Sequence, residues 1–110
     1  MTAWTLLFFA GLFEIGFVAC LKLSGGMKHL GWAAASLTLG FFSFLFLTYA
    51  TRSIPIGTAY ALWTGIGALG AAVMGMVWFN DPVEKWRLFF LTLLIVSLVG
   101  LRLVSPNLED

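Results

Sequence analysis

Charge is scarce in this chain. Charged residues make up 10% of its 110 positions, six basic against five acidic, where a soluble domain carries roughly 25%. Cysteine and histidine occur once each and proline three times. A lone cysteine excludes an intrachain disulfide, and Cys20 reads as a small buried apolar residue. The lone histidine, His29, falls in a loop, and neither a nucleophile–base pair nor a metal-ligating cluster accompanies it. An enzyme, a cofactor or a metal centre is therefore not expected. Strict two-residue alternation is also missing, which argues against the strands of about 9–11 residues that build a membrane β-barrel.

What the chain has instead is apolar bulk: 61% hydrophobic residues and 16% aromatic, with a mean hydropathy of +1.00. Charged and turn-forming residues gather in three short stretches, at 22–29, 51–56 and 80–87. They leave four apolar runs, about 3–21, 30–50, 57–79 and 86–104, each meeting the roughly 20 residues needed to cross a bilayer. The spacing predicts an all-α membrane protein, a single domain over 1–110 with four transmembrane helices. Phe17-Val18-Ala19-Cys20 faintly resembles a lipoprotein cleavage site. No Lys or Arg precedes the first run, however, and three spans follow, so it reads as a span rather than a cleaved leader.

Lys22, Lys28, Lys85 and Arg87 fall on one side of these spans, Arg52 and Arg102 on the other. Taken literally, the positive-inside rule places both termini outside. An excess of two charges is small, and a near-balanced chain can insert both ways. Four helices enclose little by themselves, so a polar site at the membrane midplane calls for an oligomer, of which a dimer is the smallest.

One acid lies inside a span. Glu14 sits midway along Trp4 to Leu21, while Asp81, Glu84, Glu109 and Asp110 fall in a loop or at the tail. A carboxylate at that depth costs about 2.5–3.5 kcal/mol on insertion scales. Gln or Leu would fill the space at lower cost, so Glu14 is the leading candidate for binding or proton carriage. Helical spacing puts it on a face with Leu7, Ala10, Gly11, Phe17, Val18 and Leu21. Gly11 would let a neighbour approach, and Phe17 would offer an aromatic wall. In the Phe-rich second span, Ser43 is the notable polar residue. It would bond back to its own helix or donate to Glu14.

The third span opens at Ile54-Pro55-Ile56-Gly57-Thr58, with Pro near the first turn. Tyr60 and Trp63 follow three apart, with Thr64 and Gly67 continuing their face, and can supply π faces and a phenol hydroxyl near a cation. Gly65-Ile66-Gly67-Ala68-Leu69-Gly70 matches the dinucleotide fingerprint as a string. It lacks the strand and βαβ unit that give that string its chemistry. Gly67, Ala71 and Gly75 instead give small-residue spacing for helix packing, and Gly65 with Gly67 offers a hinge. The fourth span suits packing or dimer formation, with Arg102 snorkelling at its end.

Glu14 in the first span, Lys22 ending it, and Pro55-Ile56-Gly57-Thr58-Ala59-Tyr60-Ala61-Leu62-Trp63 opening the third together resemble the small multidrug resistance transporters. The continuation Thr64-Gly65-Ile66-Gly67-Ala68-Leu69-Gly70-Ala71 resembles the guanidinium-exporter branch more than the quaternary-ammonium branch. The resemblance covers the whole chain. It implies an antiparallel, dual-topology homodimer in the bacterial inner membrane that exchanges protons for guanidinium or substituted guanidinium cations. A broad-specificity exporter of quaternary ammonium and other drugs is the alternative within the family. By position, Glu14 would be the shared proton- and substrate-binding carboxylate, with Ser43, Tyr60 and Trp63 as neighbours and Gly65 and Gly67 as hinge. The partners expected are a small cation, protons and membrane lipid, with no nucleic acid. One departure stands out: such exporters typically carry Trp three residues after the glutamate, where this chain has Phe17. Phe donates no hydrogen bond, and Gly16 beside it opens space, which points toward bulkier cations. Outside this family, an ion channel ringed by Glu14 and a non-transporting assembly subunit remain as other classes.

Overall fold

With no water in the hydrocarbon layer, a spanning segment satisfies its backbone internally, and in a single strand of chain that means a helix. The computed structural model describes residues 2–105 and contains four helices: α1 (Ala3–Leu23), α2 (Leu30–Ala50), α3 (Ile56–Trp78) and α4 (Lys85–Val104). All four are long and apolar enough to cross a membrane. Their ends fall within two residues of the expected ones. Glu109 and Asp110, the two tail acids, lie outside the described residues.

The helix boundaries have local causes. Thr2 caps α1 by accepting from the Thr5 N–H at 3.1 Å, and His29 caps α2 through Nδ1, which accepts from the Trp32 N–H at 3.4 Å. Ser24 ends α1 buried, its hydroxyl donating to the Leu21 carbonyl at 2.6 Å and accepting from the Met27 N–H at 3.0 Å. The chain then reverses through Gly25 and Gly26, whose φ values of 60° and 76° suit glycine. Pro55 stands at the N-cap of α3, where its missing N–H removes nothing that the helix needs.

The helices lie in a flattened layer of 43 × 35 × 18 Å rather than a square bundle. α1 packs against α2 and α3, α3 carries α4, and α2 meets α3 only sparingly. The core gathers at one end of the layer: Leu7 and Ala10 from α1, Leu47 and Ala50 from α2, Ile54 from the connector, and Ala59, Leu62 and Trp63 from α3. α4 buries none of its residues. Its C-terminal half is attached, with Leu98 and Leu101 against the core and the Ser105 and Thr58 hydroxyls 3.1 Å apart. Arg102 places its guanidinium 3.8 Å from the centre of the Trp4 ring. Arg102 therefore stacks on α1, a cation–π contact, where the sequence reading gave only a snorkelling end. At the other end of α4, Arg87 reaches Asp81 at 3.6 Å.

Candidate functional site

The polar residues of the spans are mostly satisfied within their own helix. Ser36, Thr38, Thr48 and Thr92 each donate to a carbonyl three or four residues back, at 2.8, 2.9, 2.8 and 2.9 Å. Ser43 breaks that pattern. Its hydroxyl donates across to the Ala10 carbonyl of α1 at 2.7 Å and accepts the Trp63 indole N–H of α3 at 2.8 Å. Neither outcome anticipated for Ser43 occurs: the bond goes neither to its own helix nor to Glu14. Three helices are tied at one hydroxyl, and Ser43 is fully buried. Helical i→i−4 pairing makes the Ala10 carbonyl the acceptor for the backbone N–H of Glu14, so Ser43 grips α1 at the turn that carries the acid.

Removing this hydroxyl strands a buried indole donor. Ser43→Ala is expected to destabilise the protein by about 1–3 kcal/mol, the usual magnitude for an orphaned buried polar group. Thr48→Ala, whose hydroxyl serves only its own helix, is expected to change stability little. Thermal unfolding of the detergent-solubilised variants checks both.

Glu14 lies just past the knot. On α3, Gly67 faces it: a Cβ built there would sit 2.7 Å from the Glu14 Cγ. The side chain is half-buried. Its carboxylate has no hydrogen-bond or ion-pair partner among the described residues. A carboxyl group held in the apolar layer with its acceptors free is equipped to take a proton or a cation with N–H donors.

The other sequence candidates divide around this point. Trp63 is buried, while Tyr60, whose ring centre is 5.6 Å away, is 58% exposed. Tyr60 faces outward with Phe44, Thr48, Thr51 and Ile56 and makes no hydrogen bond to Glu14. Thr64, read on the same face as Trp63, is exposed. Phe17 turns toward α2, where a Cβ on Gly40 would lie 3.1 Å from its ring. Gly16 does not open space as anticipated, because Leu39 fills it, 3.1 Å from where a Cβ would stand. Gly11, where a neighbour was expected to approach, is buried against Ile66 of α3. Gly65 and Gly67, expected as a hinge, both lie within α3 and make close contacts, Gly65 with Leu98 and Gly67 with Glu14. Gly40 and the Ala10 carbonyl escaped the sequence reading; a glycine or a backbone oxygen carries no functional signal until its neighbour is known.

The model of the family described as Small Multidrug Resistance protein matches residues 2–94. The chain is 38% identical over 103 residues to the protein named Guanidinium exporter from Proteus vulgaris, covering 94% of this chain and 99% of that one. It is 39% identical over 101 residues to the Guanidinium exporter of Escherichia coli strain K12, covering 92% and 96%. With the Guanidinium exporter of Yersinia pseudotuberculosis it shares 40% identity over 103 residues, covering 94% and 99%. The chain belongs to the small multidrug resistance family, as a multi-pass protein of the bacterial inner membrane.

Proposed function

We propose that this chain forms an antiparallel homodimer that exports guanidinium and substituted guanidinium ions in exchange for protons. The observation that carries the reading is Glu14, an intramembrane carboxylate with no partner among the described residues, in a chain whose relatives bear the name Guanidinium exporter. A guanidinium ion is planar, offers paired N–H donors to a carboxylate and stacks on aromatic rings. Glu14 supplies the carboxylate, and Phe17, Tyr60 and Trp63 supply aromatic surface. Because one carboxylate cannot hold a proton and a cation together, the two compete, and competition for one site is what couples their opposite movements.

The flattened shape supports a second copy. A layer 18 Å thick is less than two helix diameters of about 10–12 Å each, too thin to surround a central ion. A second protomer laid against it would place two Glu14 side chains in one cavity. Insertion in both orientations, which the near-balanced flanking charges permit, would make the two faces of the dimer equivalent and let alternating access proceed by exchange of protomer conformations. With two protons entering per cation leaving, one net charge moves inward, worth about 2.3 kcal/mol per 100 mV of membrane potential.

A wider substrate range is the second reading, and Phe17 favours it. Its ring, one helical turn after Glu14, is all carbon and rests on Gly40 of α2, so it brings no hydrogen-bonding group that would reject an alkyl substituent. Transport currents from one reconstituted sample separate the readings. Large currents with guanidinium and methylguanidinium and none with tetraethylammonium are expected; a tetraethylammonium current of similar size would transfer the assignment to the broad-specificity class. Current from none of the three would refute both.

A further inference from the structure

We infer that Gly67 is a positioning residue: the space left by its missing Cβ is the seat in which the Glu14 side chain rests. The inference builds on the reading of Glu14 as the transport carboxylate and assigns Gly67 a duty distinct from hinging. A Cβ at Gly67 would stand 2.7 Å from Glu14 Cγ, 3.6 Å from its Cβ and 3.8 Å from its Cδ. Real Cβ atoms essentially never show a contact under 3.0 Å, so any other residue at 67 displaces the acid. Gly65, two residues earlier in the same helix, is different: there a Cβ would strike Leu98 of α4, at 2.5 Å from Cδ2. Two glycines that look alike in the sequence therefore face two different side chains.

The seat completes a two-point grip. Ser43 holds the Ala10 carbonyl at the turn that carries Glu14, and Gly67 bounds the Cγ methylene of its side chain. A free glutamate samples several staggered rotamers; with Cγ lodged against the α3 backbone, fewer of them remain, and the head group is presented at one place along the α1/α3 seam. A proton and a cation can compete for the same carboxylate only if both find it in that place.

A methyl at Gly67 overlaps Glu14 alone, so its effect depends on whether Glu14 has a Cγ. The test is a double-mutant cycle on the full-length protein in detergent, with guanidinium transport measured on every variant in liposomes. Gly67→Ala is expected to lower the thermal midpoint by roughly 5 °C in the native background and to hold or raise it when combined with Glu14→Ala, where the overlapping methylene is gone and alanine favours the helix. Gly65→Ala, matched in helix and in chemistry, is expected to shift the midpoint equally in both backgrounds. In liposomes Gly67→Ala is expected to raise the KM for guanidinium about tenfold with kcat largely kept, since 1.4 kcal/mol of misplaced binding is a decade. Equal midpoint shifts from Gly67→Ala in both backgrounds would overturn the inference and return Gly67 to helix packing or bending. If Gly67→Ala alone does not fold, recovery of folded protein by adding Glu14→Ala supports the seat, and failure of both overturns it. The underlying reading fails separately, by native guanidinium exchange from Glu14→Ala, a result that leaves the thermal cycle intact.

Discussion

Glu14→Gln is expected to abolish proton-driven guanidinium exchange in liposomes while leaving the protein folded. Gln keeps the length and planar end of the side chain but neither titrates nor carries charge, so the proton half of the cycle has no carrier. Binding weakens as well. A hydrogen bond to a charged partner is worth about 1.5–3 kcal/mol, which corresponds to roughly a 10- to 100-fold loss of affinity. Stability moves the other way, because a carboxylate in the span costs about 2.5–3.5 kcal/mol to insert and Glu14 has no partner among the described residues to offset that. A variant at least as heat-stable as the native protein, without pH-gradient-driven uptake, is the expected pair of results. Retained uptake driven by the gradient would remove Glu14 from the mechanism and leave it a structural residue.

The sequence made the spans legible because bilayer thickness sets one length for all of them, and the three charged stretches mark where each must stop. Glu14 was legible for the same reason: a charge in an apolar run has few structural explanations. The faces of the helices were another matter. These spans are apolar nearly all round, so periodicity does not say which side of α3 meets α1 and which meets lipid. Tyr60 and Thr64 were grouped with Trp63 by spacing, yet the structure turns Trp63 into the core and the other two outward. Ser43 shows the limit most clearly. Its burial and its helix were foreseeable, but its acceptor is a backbone carbonyl on another helix, and every helical residue has one. The glycines carried the same ambiguity, since a missing Cβ reads as a hinge, a pocket or a close approach until the neighbouring side chain is in place.

Gly11 resolves that ambiguity toward close approach and gives the second large expected effect. A Cβ at Gly11 would lie 2.5 Å from Ile66 Cγ2 and 2.9 Å from Ile66 Cβ. The contrast with Gly67 is in what can move. At Gly67 the obstacle is the unbranched Glu14 Cγ, which can change rotamer. At Gly11 it is a β-branched residue, stiff at χ1, and its Cβ is fixed to the α3 backbone whatever the rotamer. Relief requires α1 to move away from α3, which also lifts Glu14, one turn further along α1, off Gly67. Gly11→Val is therefore expected to destabilise by about 3 kcal/mol, the upper end of ordinary overpacking. Its helix propensity exceeds that of Gly by only a few tenths of a kcal/mol, far too little to compensate. Guanidinium exchange is expected to fall with it, even in the fraction that folds. Gly57→Ala is the control: nothing lies within 4 Å of the added methyl, so the midpoint should hold or rise as alanine replaces glycine in the first turn of α3. A native thermal midpoint for Gly11→Val would mean that α1 and α3 do not meet at this register, and the seat proposed for Glu14 would go with it.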